Sequence, residues 1–506
     1  MATSFCMHFS LVKGAEKMEN LAVKLTNIEK NYGAKCILSI DELTIYQNER
    51  IAIIGKNGSG KSTLLKLIAG KVDPDRGKVQ REIEFNYYAQ SEEITNIQVS
   101  EQLDGELLSR FSVPITGMET LSGGEQAKFR LTNQLSDYQM GLLLDEPTTH
   151  LDSQSIGMLI KELNYYYGTL VVVSHDRFFM NQIATKIWEV EEGRVREFNG
   201  NYAEYVEQKE AERIEKERLA DHFQKEKKRL ENAIIKKQAQ AKKLTQTIKK
   251  QKQKNQRPDR LASSKQKDTV QKSLQKTAKA MTSRLEQLTE QTGEVKNQKI
   301  IFPTPKTLEI HHRFPIMGDR IALEVAGKKL LEETTFQFGL GEKIAITGAN
   351  GSGKSTLLRY IIDQKQGITV SSKVVFSVYQ QMDYQLTSEE TLLAYLLKQT
   401  EYPEPFVRAL LNNLGFKQTE ISKSVRDLSG GEATRLAIAL LFAKPANTLI
   451  LDEPTNFIDI NTMEALEQLI KQYPGTVLFT SHDTLFVREV AEVVYQIEDQ
   501  KLVLKT

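Results

Sequence analysis

The sequence predicts an α/β protein built from two tandem copies of one phosphate-binding domain, joined by a long antiparallel α-helical hairpin. Three observations carry this prediction. Four short motifs occur twice, in the same order. In each copy a short apolar run enters a Gly-rich loop that opens a helical stretch, the strand–loop–helix order of a P-loop. Between the copies lies a Glu/Lys/Gln/Ala-rich segment, residues 206–250, with no Pro or Gly.

The duplication is read from motifs and spacing together. GKNGSGKS (55–62) recurs as GANGSGKS (348–355), LSGGE (121–125) as LSGGE (428–432), LLLDEPT (142–148) as LILDEPT (449–455), and SHD (174–176) as SHD (481–483). Ser122 to Asp145 and Ser429 to Asp452 both span 23 residues; Asp145 to His175 and Asp452 to His482 both span 30. Four domains of organisation follow: an N-terminal extension over 1–17, a first α/β domain over 18–205, a helical linker over 206–300 and a second α/β domain over 301–506. The runs GLLLDE and TLVVVSHD are continuous rather than alternating, as expected of parallel strands buried on both faces.

Composition narrows the class. The chain has 506 residues, 40% hydrophobic and 26% charged, with a net charge of only +2. Cys6 and Cys36 offer neither a disulfide framework nor a CxxC metal clip, which fits a reducing, intracellular compartment. LAIALLFA (436–443) is among the longest apolar runs, well short of the eighteen or so residues a bilayer span needs. Residues 1–17 lack the pattern of a secretion signal and are expected to be a disordered extension or an upstream start.

The repeated motifs carry phosphate chemistry. Glycines 55, 58 and 60, and 348, 351 and 353, let backbone N–H groups wrap phosphate oxygens closely and at positive φ. The helices that begin near Lys61 and Lys354 point their positive ends at the phosphates. Lys61 and Lys354 supply charge for the β/γ-phosphates, and Ser62 and Ser355 a hydroxyl for Mg2+. Asp145 and Asp452 end apolar strands, where a carboxylate can hold Mg2+ directly or through water. Glu146 and Glu453 follow at once, placed to polarise an attacking water. His175 and His482 close strands at equal offsets, which argues for γ-phosphate sensing over packing.

With LSGGE the sequence resembles the ATP-binding cassette superfamily, across both halves and nearly the whole chain outside the linker. The resemblance implies ATP hydrolysis in a head-to-tail sandwich where each ATP is shared. One site would take Asn57, Lys61, Ser62, Thr63, Gln90, Asp145, Glu146 and His175, closed by Ser429, Gly430, Gly431 and Glu432. The other would take Asn350, Lys354, Ser355, Thr356, Gln381, Asp452, Glu453 and His482, closed by Ser122, Gly123, Gly124 and Glu125. Gln90 and Gln381 would join the Mg2+ ligands. Tyr32 is placed to stack on adenine, while Val325 stands at the matching position of the second copy. After DEPT the copies read THLD (149–152) and NFID (456–459), where the family has Asn then His, so each departs at one position.

The linker decides what the ATPase drives. Phe223, Leu230, Ile234, Ala241, Leu244 and Ile248 recur at helical spacing, Pro258 interrupts, and Val270, Leu274, Ala278, Met281, Leu285 and Leu288 form a second stripe. The first helix, about 45 residues, would reach roughly 65–70 Å. From Lys236 to Lys279 there are 15 Lys/Arg and two Asp, a local net of +13, so the rest of the chain carries −11. A cationic hairpin end with few aromatics suits the backbone phosphates of structured RNA rather than single-strand stacking. The tip lacks the broad apolar face of a membrane binder.

These features resemble the ABC-F family of cytoplasmic translation factors, which has no membrane domain. GNYAEY (200–205) matches the family's approach to the linker, and only 31 residues separate Gln90 from Ser122, too few for the arm insertion of housekeeping members. The slim layout and PDRLASSKQKDTVQKSLQK (258–276) are similar to the macrolide–streptogramin resistance branch. The resemblance implies a monomer, needing no stable protein partner, that binds the ribosomal E site with ATP and Mg2+. Its arm would pass the peptidyl tRNA toward the large-subunit rRNA and displace a macrolide, lincosamide, streptogramin A or pleuromutilin. Lys242, Lys243, Lys249, Lys250, Lys252, Lys254, Arg257, Arg260, Lys265 and Lys267 would grip RNA phosphates, with Pro258, Asp259, Leu261 and Ser263 at the tip. Leu261 either inserts among bases or caps the hairpin's own core. A housekeeping role on stalled ribosomes is the alternative, and an ATPase pair for a separate permease a more distant one.

Overall fold

A computed structural model describes residues 20–33, 35–89, 103–113, 123–253, 300–302, 309–325, 327–379, 388–456 and 458–505. The extension 1–17, the second linker stripe and the tip residues lie outside this range.

The first cassette opens with β1 (Leu21–Tyr32), β2 (Lys35–Tyr46), β3 (Arg50–Gly55), α1 (Lys61–Ile68), β4 (Arg76–Arg81) and β5 (Phe85–Tyr88). It continues with α2 (Gly105–Arg110), α3 (Gly123–Ser136), β6 (Gly141–Asp145), α4 (Ser153–Tyr165) and β7 (Thr169–Val173). It closes with α5 (Arg177–Ile183), β8 (Lys186–Glu191) and β9 (Arg194–Asn199), and α6 (Tyr202–Gln253) follows. The second cassette opens with β10 (Ile316–Val325), β11 (Lys328–Phe338), β12 (Lys343–Gly348), α7 (Lys354–Ile362), β13 (Ile368–Val370) and β14 (Phe376–Tyr379). Next come α8 (Leu392–Gln399), α9 (Glu404–Asn413), α10 (Gln418–Ile421), α11 (Gly430–Ala443), β15 (Thr448–Leu451) and α12 (Ile460–Gln472). The last elements are β16 (Thr476–Thr480), α13 (Thr484–Val490), β17 (Val493–Glu498) and β18 (Lys501–Leu504).

The two cassettes share one topology. Six-stranded sheets run β5-β6-β7-β3-β8-β9 and β14-β15-β16-β12-β17-β18, parallel except for the last strand of each. Small antiparallel sheets, β2-β1-β4 and β11-β10-β13, accompany them. The continuous apolar runs have the cause expected of them. Leu143, Val171 and Val173 pack on one face of the sheet with Leu64 and Leu65 of α1. Their neighbours Leu142, Leu144, Leu170 and Val172 pack on the other with Phe129 of α3 and Leu159 and Leu163 of α4. A strand covered on both faces favours apolar side chains throughout, and a polar one is kept only where it finds a partner.

By contacts the chain divides into residues 1–205 with 298–506, and residues 206–297. The long helix nevertheless begins inside the first unit, at Tyr202 rather than at 206. GNYAEY explains the start. Gly200 has φ 118°, the left-handed region that favours glycine. Asn201 Oδ1 accepts from the Glu204 N–H at 3.0 Å, and Glu204 Oε2 accepts from the Asn201 N–H at 2.9 Å, a reciprocal cap. Tyr202 and Tyr205, three apart on one helix face, are buried with Met180, Ala184, Ile187 and Phe198 and with Ile460 of the second cassette. The Tyr205 hydroxyl donates to Glu189 at 2.9 Å. α6 then runs 52 residues without a break. On it Phe223 and Ile234 are half-buried.

A buried ion pair crosses between the cassettes beside Tyr202. Arg177, at the start of α5, donates to Glu467 on α12 and lies 3.8 Å from Asp483. Its counterpart in the second copy is Thr484, and that of Glu467 is Ile160. Burial and the nearby Asp483 carboxylate push Asp176 up to about 7. Between the ordinary Asp value near 4 and about pH 7 the folded protein therefore holds a proton that the unfolded chain releases, so stability falls as pH rises through that window. Asp176→Asn should flatten this part of the slope, on the order of 1–3 kcal/mol, in denaturant melts at pH 5 to 8. Glu467→Ala, which leaves Arg177 short of its closest carboxylate, should cost about 3–5 kcal/mol in the same melts.

Candidate active site

Strands β6, β7 and β3 lie side by side, so their carboxyl ends bring Asp145, His175 and the first Gly-rich loop to one edge of the sheet. Strands β15, β16 and β12 do the same for Asp452, His482 and the second loop. Gly60 (φ 106°) and Gly353 (φ 103°) turn the chain into α1 and α7. A Cβ at Gly60 would sit 2.9 Å from Ile37, and one at Gly55 would sit 2.4 Å from the Val190 carbonyl, so both positions exclude a side chain.

The loop lysines are buried and curl over their own loops. Lys61 donates to the Gly55 and Lys56 carbonyls at 2.8 and 3.2 Å. Lys354 does so to Gly348 and Ala349 at 3.0 and 3.2 Å. Burial lowers the pKa of both. Ser62 donates to Asp145 at 3.1 Å, and Ser355 to Asp452 at 2.9 Å. A hydroxyl and a carboxylate side by side at the phosphate loop are an oxygen donor pair that suits a hard dication such as Mg2+.

Glu146 and Glu453 stand apart electrostatically and conformationally. Their φ values are 52° and 47°, a left-handed conformation that side chains other than Gly rarely adopt and that costs about 1–3 kcal/mol. Glu146 Oε1 and both carboxyl oxygens of Glu453 are buried without a hydrogen-bond partner among the described residues. Burial pushes the Glu453 carboxyl up to about 7 and raises Glu146 as well. Their Oε1 atoms lie 3.2 and 3.3 Å from Nε2 of His175 and His482. Burial, aided by the Lys61 and Lys354 charges, pushes the imidazoles down to about 3 and about 4, so both are neutral at pH 7. The Glu146 Oε2 accepts from the His175 backbone N–H at 3.3 Å. A buried carboxyl with an unsatisfied oxygen facing a cleft is suited to holding a water for attack.

Each site is completed from the other cassette. One cavity of about 1350 Å³ is lined by Tyr32, Asn57, Gly58, Gly60, Lys61, Ser62, Thr63, Asp145, Glu146 and His175, and by Gly430 and Gly431. It continues to Asn350, Gly351, Gly353, Lys354, Ser355, Thr356, Glu453 and His482, and to Gly123, Gly124 and Glu125. A Cβ on Gly431 would meet Asn57 at 3.1 Å, and one on Gly124 would meet the His150 carbonyl at 3.1 Å and Asn350 at 3.2 Å. Ser429 caps α11 reciprocally with Glu432, whose carboxylate also pairs with Lys423 at 2.7 Å. Glu432 thus shapes the signature loop. Asp452 and Asp145 lie at the strand ends as the spacing predicts. Gln90, Ser122 and Gln381 lie outside the described residues. Tyr32 lies at the cavity, while Val325 is half-exposed at the end of β10.

Sequence reasoning missed Asp152 and Asp459, the last residues of THLD and NFID. Asp459 accepts from the Asn57 N–H at 3.2 Å, and Asp152 from the Asn350 N–H at 3.5 Å, each across the interface. The signal was present, since both stand seven residues after the strand-end Asp. Glu146→Gln with Glu453→Gln should cut phosphate release at least 100-fold while nucleotide binding persists in a filter assay. Asp152→Ala with Asp459→Ala should lower kcat/KM for ATP about tenfold or more, measured by the same release assay.

The chain matches the ABC transporter family over residues 38–113 and 331–456, and a further ABC transporter model over 188–271. It is 44% identical over 489 residues to the erythromycin resistance ATP-binding protein MsrA of Staphylococcus epidermidis, spanning 96% of this chain and 99% of that one. It is 34% identical to the ribosome protection protein VmlR of Bacillus subtilis, over 92% of this chain and 85% of that one. Among solved structures, the RNase-L Inhibitor shares the fold, with a TM-score of 0.59 at 18% identity over 93% of this chain and 87% of that one. With both phosphate loops, both signature glycine pairs and full-length identity at this level, the chain belongs to the ABC-F family of ATP-hydrolysing cassette proteins.

Proposed function

We propose that this protein protects the ribosome from large-subunit antibiotics. It binds the E site with two ATP held between its cassettes, and its linker tip displaces a drug near the peptidyl-transferase centre. The observation that carries this reading is the 44% identity, over nearly the full length of both chains, to a relative named for erythromycin resistance. The relative named for ribosome protection supports it. So does the cationic stretch 236–279, whose net charge of +13 suits RNA phosphates.

In this reading Lys61 and Lys354 hold the β/γ-phosphates, and the amino ends of α3 and α11 close over the opposite nucleotide. Ser62 with Asp145, and Ser355 with Asp452, would hold Mg2+, which neutralises phosphate charge when bound. Glu146 and Glu453 orient the attacking water, and His175 and His482 contact the γ-phosphate. Hydrolysis removes the bridge between cassettes and releases the factor. The linker residues Lys242, Lys243, Lys249, Lys250 and Lys252 fall on α6, while Lys254, Arg257, Arg260, Lys265 and Lys267 and the tip residues lie outside the described range. Among the described residues no helix is long and apolar enough to cross a membrane. We propose a cytoplasmic monomer acting on rRNA and peptidyl tRNA, as the relative named for ribosome protection suggests.

The test combines sedimentation and susceptibility. The Glu146→Gln, Glu453→Gln variant should co-sediment with ribosomes in ATP. Expression of the parent should raise the inhibitory concentration of a macrolide, lincosamide, streptogramin A or pleuromutilin at least fourfold, and replacing 255–264 by a Gly/Ser turn should abolish that rise while sparing ATPase activity. Ribosome binding with unchanged susceptibility to all four classes would assign a housekeeping translation role instead.

A further inference from the structure

The two ATP sites hold their carboxylates by different means. In the second site the Thr480 hydroxyl, fully buried at the end of β16, donates to Asp452 Oδ1 at 2.8 Å. The Thr480 Oγ1 in turn accepts from the backbone N–H of Glu453 at 2.8 Å. A hydroxyl has one proton and two lone pairs, so both bonds are made at once. One side chain therefore fixes the direction of the Asp452 carboxylate and the left-handed backbone turn that aims Glu453.

The first site lacks this device. Val173 occupies the matching position on β7 and brings no hydroxyl. There the Glu146 N–H donates to the Val173 carbonyl at 2.8 Å. Asp145 is steadied instead by the Tyr87 hydroxyl, from β5, at a longer 3.3 Å and on its other oxygen, Oδ2. Val378 stands where Tyr87 does in the first copy. The exchange is reciprocal: each copy has one hydroxyl that the other lacks.

We propose that Thr480 is a positioning residue of the second ATP site, tying its metal-binding carboxylate to its general-base glutamate, and that the first site turns over under looser control. This rests on the roles assigned above to Asp452 and Glu453. Partners that orient a ligating carboxylate typically govern metal affinity or activity by 10–100-fold.

The test isolates the second site with Glu146→Gln. In that background Thr480→Val, a shape the first copy already accommodates, should lower kcat about tenfold with a smaller change in KM for ATP, and Thr480→Ser should restore most of it. In the full chain carrying a non-hydrolysable ATP analogue, Mn2+ titration followed by electron paramagnetic resonance should show one of two bound ions weakened severalfold by Thr480→Val. A filler of space alone would not be rescued by Ser and would leave Mn2+ affinity unmoved. Parental kcat and parental Mn2+ binding in Thr480→Val would overturn the proposal. Full turnover in Glu146→Gln, Glu453→Gln would overturn instead the assignment of Glu453 on which it rests.

Discussion

Each Gly-rich loop is held from across the interface, and the rest of the active site depends on that crossing. Asp459 and Asp152 accept backbone N–H groups of Asn57 and Asn350 that belong to the opposite cassette. A Cβ on Gly431 or Gly124 would lie about 3 Å from the same asparagines, so the signature loops pack there only because these residues carry no side chain. A single cassette would leave its phosphate loop open to water on one side. The paired arrangement encloses both loops in one cavity, where charges act through a medium less screening than water.

That enclosure explains the electrostatics. Removal from water disfavours the charged forms of Glu146, Glu453, His175 and His482, so these two carboxyl pKa values rise and these two imidazole values fall for the same reason. The glutamates are also held in backbone conformations that ordinary residues avoid, a cost sustained by the fully buried strands behind them. Strain and desolvation coincide at Glu146 and Glu453, and each would be a defect in a residue that served only the fold.

Much of this was legible in the sequence because the duplication shows every local feature twice. The strand ends, the loop glycines, the serine–aspartate pairs and the helix start at GNYAEY are each set by residues close together in the chain. Beyond the shared sites that the family resemblance implies, individual contacts made by the meeting of the two copies were not legible. Asp152 and Asp459 cap α4 and α12 locally, and their reach to the opposite loop follows only from the fold. Arg177 stands opposite Thr484 in the second copy, so the charge is not part of the repeated pattern. The contact division of the chain falls at 205/206, where GNYAEY set the boundary, although α6 itself begins at Tyr202, four residues earlier.

Arg177 also bears on which halves can pair. A sandwich of two first cassettes would set Arg177 against Ile160 in place of Glu467, leaving a cation buried with poorer company. One of two second cassettes would set Glu467 and Asp483 against Thr484, leaving carboxylates with no guanidinium between them. Either mismatch would cost several kcal/mol by the price of an uncompensated buried charge. The ion pair thus acts as an address: the halves of one duplicated chain are no longer interchangeable, and each recognises the other in preference to a second copy of itself.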